Sequence, residues 1–310
     1  MDARDMRADD AAADTRRIHT GRSVDTAASP TGAGTPITCT LCPHACRLRA
    51  GETGFCRARA NVGGTIRAIN YGRLTALALD PIEKKPLYHF YPNSQILSVG
   101  SFGCNLACPF CQNAGIAAAD ERIETENVTP VQLAALAEEL RHQPRGNIGV
   151  AFTYNEPLVG YEYIMDTAPL LHAAELKVVL VTNGMICTEP LTRLLPHVDA
   201  MNIDLKAWHT DTYRRLGGDL EAVKWTIARA VAHGVHVEVT TLVVPTMNDS
   251  AEDMDEEAHW LSTLSPNLPL HISRYFPRHR MNTPPTPIAD IDRLTAIARR
   301  HLRYVHPGNC

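Results

Sequence analysis

No run of apolar residues in this 310-residue chain approaches the ~20 that a membrane-crossing helix needs. The N-terminus also lacks the apolar stretch of a secretory signal, so the expected location is the cytoplasm, with no membrane partner. Basic residues are not in excess: a net charge of −4 leaves no electrostatic footprint for a nucleic acid. No Gly-x-Gly-x-x-Gly follows a strand pattern, which disfavours a Rossmann dinucleotide site, and no repeat of solenoid period is visible. Residues 1–35 have almost no large apolar side chains. Such a segment cannot bury enough surface to offset its ordering entropy, and a disordered tail is expected there. The rest can bury a substantial core, and its composition is that of a soluble globular protein.

Against these absences stand nine cysteines. In a reducing compartment, cysteines grouped at ligand spacings point to metal rather than to disulfides. One group is Cys104-Asn105-Leu106-Ala107-Cys108-Pro109-Phe110-Cys111, which follows the buried-strand pattern Ile96-Leu97-Ser98-Val99-Gly100. Thiols spaced C-x3-C-x2-C can converge on one metal centre. An iron–sulfur cube normally takes four thiolates. Held by three, it keeps one iron open to a small molecule, as a catalytic zinc keeps one open position. A three-cysteine zinc site with a ligand from elsewhere is the competing reading. A second group, Cys39, Cys42, Cys46 and Cys56, lies among the turn-formers Pro43, Gly51 and Gly54. Four cysteines in a stretch too short for its own core read as a small metal-stapled unit. Its spacing suits zinc and a second iron–sulfur cluster alike, and a closed four-cysteine site favours a structural role.

Beyond the cluster loop the chain alternates strand and helix. Strand patterns fall at Ile148–Thr153, Lys177–Thr182, Ala200–Leu205, Val235–Val244 and Leu270–Tyr275. Helical patterns lie near Leu158–Ala174, Glu189–Leu195, Asp219–Ala232, Ala251–Leu264 and Ile288–His301, and Thr129 and Pro130 open another through about His142. Strand pairs are expected between Ile66 and Tyr91, with Ile82–His89 a solvated loop. This is an α/β pattern of about six βα units on a parallel sheet. In Asn202-Ile203-Asp204-Leu205-Lys206, and again at His236, Glu238 and Thr240, polar residues alternate with apolar ones. Strands covered by helices on both faces are apolar throughout. The alternation therefore predicts an open, partly wet interior: a partial (β/α)6 TIM-type barrel. Three segments are expected: the disordered tail (1–35), a Cys-rich metal-binding unit (36–65) and the partial barrel (66–310). Sites in parallel α/β folds sit at the C-terminal strand ends. These ends carry Cys104, Thr153-Tyr154-Asn155-Glu156-Pro157, Thr182-Asn183-Gly184 and Asp204-Leu205-Lys206. His271, Ser273 and Tyr275 share a face of the sixth strand and are weaker candidates for the same cavity.

The three-cysteine loop, with an aromatic (Phe110) directly before the third cysteine, resembles the signature of the radical S-adenosylmethionine (SAM) superfamily. Residues about 37–307 resemble its group around pyruvate formate-lyase-activating enzyme, and within that group the AmmeMemoRadiSam-system radical enzymes. The closer likeness rests on the Cys39–Cys56 block, on Phe152-Thr153-Tyr154-Asn155-Glu156-Pro157 and on Asn202–Lys206. It implies the same partial-barrel fold and a 4Fe-4S cluster on Cys104, Cys108 and Cys111. It also implies a 5′-deoxyadenosyl radical from SAM and an external one-electron donor, flavodoxin- or ferredoxin-like. Where the activating enzymes have Gly-Gly-Glu-Pro at the SAM ammonium, this chain has Tyr154-Asn155-Glu156-Pro157. The carboxylate is kept and the glycines are missing. The resemblance implies cofactor contacts for Glu156, Asn155 and Asn183. Asp204 and Lys206 face one way on their strand, where they pair across the pocket or hold cofactor or substrate. Members of the group abstract hydrogen from a protein glycine or act on other substrates, so a protein substrate is among the implied partners. Relatives in the closer family often continue past the position of Gly308-Asn309-Cys310 into another cysteine-containing tail. Two other classes compete. An iron–sulfur electron carrier needs four ligands per cluster and no polar strand ends; a zinc-stapled binding module needs a basic or aromatic surface and leaves the three-cysteine loop unexplained.

Overall fold

The computed structural model describes residues 35–143 and 146–310, so the expected tail lies, but for its last residue, outside the described residues. The described residues form one compact unit. Its centre is an eight-stranded sheet: β1 (Ala76–Pro81), β2 (Gln95–Gly100), β3 (Asn147–Phe152), β4 (Lys177–Thr182), β5 (Ala200–Asp204), β6 (His236–Val243), β7 (Leu270–Arg274) and β8 (Val305–Gly308). The strands neighbour one another in chain order. β1 is antiparallel to β2, and every later pair is parallel. β2 to β7 are the six expected strands, and the sheet is the curved wall of an open barrel. β1 and β8 add an edge on either side. The four residues of β8, with Pro307 inside, carry no strand pattern, and an edge is where a sheet tolerates proline.

Six helices cover the outside: α1 (Pro130–Arg141), α2 (Tyr161–Ala173), α3 (Thr188–Leu194), α4 (Leu220–His233), α5 (Ala251–Leu264) and α6 (Ile288–Ala298). Their starts follow local chemistry. Thr129 and Gln132 form a reciprocal capping box on α1. Asp219 accepts from the amides of Glu221 and Ala222 at the head of α4, and Ser250 caps α5. Among the described residues, no helix is long and apolar enough to cross a membrane.

The barrel interior has two levels, and only the upper one matches the expected wet lumen. In the lower half, Ile96, Ala151, Val179 and Ala200 point inward and are filled by Ile82, Leu87 and Phe90. The Ile82–His89 segment is thus not a solvated loop: Ile82 and Leu87 are fully buried, and the segment plugs the barrel. The inward polar residues at this level receive the plug. Asn202 Nδ2 donates to the Pro86 carbonyl at 2.8 Å, and Glu238 accepts from the amides of Tyr88 (3.1 Å) and His89 (2.8 Å). Alternation on β5 and β6 therefore reports an inner face, but half of it meets protein rather than water.

Glu257, on the buried face of α5, accepts from the Thr241 hydroxyl on β6. Burial pushes its carboxyl up to about 8, against a hydrogen bond that works the other way. The folded chain therefore holds a proton that the unfolded chain releases above its ordinary value of 4.5. Stability falls as pH rises from 4.5 to 8. Glu257→Gln removes this loss. Its unfolding free energy from urea titration is expected to match the wild type near pH 4 and to exceed it by roughly 2–4 kcal/mol at pH 8.

Candidate active site

The cluster loop leaves β2 through Gly103, whose φ of +91° and close neighbours both require glycine; an added Cβ would stand 2.6 Å from the Cys56 carbonyl and from Ala58 Cβ. The loop is then held by partners from around the barrel mouth. Ala107 N donates to Leu216 O (2.8 Å), Arg280 N to Pro109 O (2.9 Å), and Asn105 Nδ2 to Met185 O (2.7 Å). Phe110 is buried with Leu216, Val244 and Tyr275. Its aromatic ring anchors the loop beside the third cysteine.

Cys104, Cys108 and Cys111 line the wall of one cavity of about 300 Å³ at the C-terminal strand ends. Among the described residues, no three His, Cys, Asp or Glu side chains are drawn together tightly enough for a single ion. Three thiols that line one cavity can each ligate one iron of a multi-iron cluster. Burial pushes the Cys108 thiol up to about 11 and raises Cys104 and Cys111 as well. Without metal these are neutral thiols, and ligation must expel their protons.

The strand ends bring four of the five expected polar residues together around the thiols. Glu156 is fully enclosed, with Oε1 accepting from Thr182 Oγ1 (2.6 Å) and Leu158 N (3.0 Å) and Oε2 from Asn183 N (2.7 Å). Desolvation lifts its carboxyl to about 7, and these donors limit the rise. Asn183 Nδ2 reaches Asn105 Oδ1 at 2.8 Å and Cys104 Sγ at 3.7 Å. Lys206 Nζ and Asp204 Oδ2 pair at 2.9 Å at the end of β5, on the same cavity. Burial alone would lower Lys206, but the Asp204 carboxylate beside it raises it, so it is a cation throughout the physiological range. The fifth, Asn155, also lines the cavity but braces the loop: its Oδ1 accepts from Ser101 N (2.8 Å) and its Nδ2 donates to Gly103 O (3.1 Å). Of the weaker candidates only Ser273 faces the cavity. His271 points down to Glu238 (2.6 Å), and the Tyr275 ring packs under Phe110.

Tyr154 answers the question of the missing glycines. Its φ is +70°, a left-handed conformation that glycine adopts freely and a side chain rarely takes. That side chain folds into the lumen against Gly100, where an added Cβ would stand 2.9 Å from the ring. Its hydroxyl donates to Asp80 Oδ2 (2.7 Å), which also takes Lys85 Nζ (2.9 Å), and Lys85 lies over the ring at 4.8 Å. Burial would raise Asp80, yet Tyr154, Lys85 and Lys84 hold it well below the usual carboxylate range. The network forms the cavity floor. Sequence reading missed it, along with Arg57, His279 and Arg280 at the mouth. The left-handed Tyr154 has no sequence signal; the unusual Asp80-Pro81…Lys84-Lys85 charges were its only visible trace.

The N-terminal cysteines stand against this loop. Cys39, Cys42 and Cys56 are buried and Cys46 half-buried, all as free thiols. Cys104 N donates to Cys56 O at 3.1 Å, and His44 Nε2 lies 2.9 Å from Asn105 O.

Residues 98–260 match the family model described as the radical SAM superfamily. The chain is 39% identical over 278 residues to the uncharacterized protein MJ0808 of Methanocaldococcus jannaschii, covering 88% of this chain and 81% of that one. It is 26% identical over 168 residues to the pyruvate formate-lyase-activating enzyme of Clostridium pasteurianum, covering 52% and 67%. Among solved structures, it resembles a radical SAM methyltransferase from Sphaerobacter thermophilus with a TM-score of 0.54 at 21% identity, over 70% of this chain and 67% of that one. It also resembles Streptococcus suis SuiB bound to S-adenosylmethionine, with a TM-score of 0.51 at 15% identity, over 67% of this chain and 48% of SuiB.

Proposed function

The chain belongs to the radical SAM superfamily, and we propose that it cleaves SAM reductively and uses the resulting radical to abstract hydrogen from a substrate held in the barrel mouth. The observation that carries this reading is the meeting of Cys104, Cys108, Cys111, Glu156 and Asn183 on one cavity. When bound, the 4Fe-4S cluster and SAM supply a 5′-deoxyadenosyl radical; the protein supplies binding, orientation and exclusion of water. Cys104, Cys108 and Cys111 hold the cluster. Asn183 steadies the first thiolate through its amide, and Glu156 receives the SAM ammonium while Thr182 and the Asn183 amide aim its carboxylate. Asp204 and Lys206 present a fixed charge pair to the cavity for cofactor or substrate. Tyr154 closes the floor, and Asn155 fixes the loop.

More narrowly, we place the chain with the AmmeMemoRadiSam-system enzymes, on the Cys39–Cys56 block and the phrases at 152–157 and 202–206. The likeness to an activating enzyme favours a second reading, hydrogen abstraction from a glycine of a partner protein. Deuterium carried from an α-deuterated glycine into 5′-deoxyadenosine would distinguish it from action on a small molecule.

The test of the reaction class is anaerobic reconstitution with iron and sulfide, then incubation with SAM and dithionite and a count of 5′-deoxyadenosine. Turnover to 5′-deoxyadenosine is expected. A fully iron-loaded protein that leaves SAM intact would mark an electron carrier instead.

Glu156→Gln keeps the shape and removes the charge that receives the ammonium. A charge-assisted hydrogen bond is worth about 1.5–3 kcal/mol, so SAM affinity is expected to fall roughly 10- to 100-fold by calorimetry. Because the free carboxyl sits near 7, wild-type affinity should rise with pH across that value while the variant stays flat. Equal affinities at pH 8 would remove Glu156 from the SAM site.

A further inference from the structure

We propose that Cys39, Cys42, Cys46 and Cys56 hold a second iron–sulfur centre that passes electrons to the cluster on Cys104, Cys108 and Cys111 from an acidic one-electron donor docked on the surrounding arginines. The inference rests on the radical SAM reading of the main site.

The first observation is contact. Cys104 and Cys56 are joined by a single hydrogen bond, N to O at 3.1 Å, so a short path of backbone atoms links one ligand residue to the other. Gly103 makes this approach possible, since any Cβ there would strike the Cys56 carbonyl at 2.6 Å. A second bridge runs from His44 Nε2 to Asn105 O (2.9 Å), and Asn105 meets Asn183, which reaches Cys104 Sγ. A unit that only stapled the chain would not need to sit on the cluster loop.

The second observation is the donor set. Cys39, Cys42 and Cys56 are buried, and Cys39 N donates to Cys46 O at 2.9 Å, which ties the first and third cysteines of the block together. The Cys46 sulfur accepts from Phe55 N at 3.5 Å, beside Gly54. A structural zinc draws four thiolates to about 2.3 Å of one ion and has no redox chemistry. Four thiolates beside the radical cluster suit an iron–sulfur centre, which unlike zinc can carry an electron.

The third observation is charge. Residues 36–72 hold Arg47, Arg49, Arg57, Arg59 and Arg67 against the single acid Glu52, a net of +4 in a chain whose total is −4. Arg59 is buried against Glu162, but Arg47, Arg49, Arg57 and Arg67 are exposed. Phe55 is 42% exposed and stacks on His44 at 4.1 Å. An exposed aromatic ring in a stretch of chain with four exposed arginines, next to the buried Cys56, fits an acidic redox partner and would speed its encounter. In the transfer no bond forms or breaks: one electron leaves the donor, resides on the second centre and arrives at the radical cluster.

The test begins with the Cys104→Ala/Cys108→Ala/Cys111→Ala variant, reconstituted anaerobically. It is expected to retain iron and sulfide and to give, on dithionite reduction, an EPR signal that SAM does not move. Zinc in place of iron, or no bound iron, would overturn the proposal whether or not the wild type cleaves SAM. Next, Cys39→Ser/Cys42→Ser, checked for folding by its melting curve, should keep a SAM-sensitive EPR signal and dithionite-driven cleavage. Its cleavage driven by photoreduced flavodoxin should fall at least about tenfold. Arg47→Glu/Arg67→Glu leaves every cysteine in place and should slow only the flavodoxin-driven rate, again about tenfold, while flattening its salt dependence. Flavodoxin-driven rates equal to wild type in both variants would rule out the relay.

Discussion

Replacing Cys104, Cys108 or Cys111 singly with alanine is expected to abolish 5′-deoxyadenosine formation while leaving the barrel folded. A three-thiolate cluster has no spare protein ligand, and the loss of one opens a second iron to water. The fold does not depend on the metal in the same way. The loop is pinned by Ala107 to Leu216, Arg280 to Pro109 and Asn105 to Met185, and by the buried Phe110 ring. The unligated thiols are neutral, and each substitution removes one sulfur from a cavity wall, so the expected loss is about 1 kcal/mol. Iron content and 5′-deoxyadenosine should therefore fall together, with the melting temperature nearly unchanged. Loading adds a second readout. With the Cys108 thiol at about 11 and its neighbours also raised, iron uptake releases protons and should quicken as pH rises. Cleavage that survives any one of the three substitutions would mean that the cluster is held elsewhere.

What could be read from the sequence was whatever local spacing decides. Thr129 and Pro130 announce the start of α1, where the capping partner lies three residues away at Gln132. The pairing of Asp204 with Lys206 follows from the two-residue period of a strand. The same period failed at His271 and Ser273. It gives the face and not the height, and these two residues sit on opposite sides of the barrel floor, one on Glu238 and one on the cavity. The plug itself was invisible because its partners are far away in the chain: Asn202 meets Pro86, Glu238 meets Tyr88 and His89. The nearby Asp80 and Lys84 mark a charge cluster but do not say that the Lys85 ammonium is buried on Asp80 under Tyr154. A charged, aromatic stretch reads as a surface loop until the cavity that it fills is known.

Glu238 tests how much of the barrel depends on that plug, and Glu238→Ala is expected to be the most destabilising single change outside the apolar core. Its side chain is wholly buried and accepts four hydrogen bonds: from the amides of Tyr88 (3.1 Å) and His89 (2.8 Å), and from the rings of His236 (2.9 Å) and His271 (2.6 Å). Removing one partner of such a buried network strands the others, at about 3–5 kcal/mol. For a chain of this size that lowers the melting temperature on the order of 10 °C. The pH dependence identifies the cause. Burial would raise the carboxyl, but His236, His271 and the His89 amide bring it down to about 2, below its ordinary 4.5. The folded state therefore holds the charge more firmly than the unfolded state, and this stabilisation is complete above pH 4.5 and lost as pH falls toward 2. Urea midpoints of wild type and Glu238→Ala should lie far apart at pH 6 and draw together in acid. Glu238→Gln, which keeps an acceptor oxygen but puts an amide N–H against a donor, should fall between them. A gap that does not narrow in acid would mean that packing at the site, not the carboxylate, holds the floor. A melting temperature within about 2 °C of wild type would mean that Ile82, Leu87 and Phe90 seat the plug by burial alone.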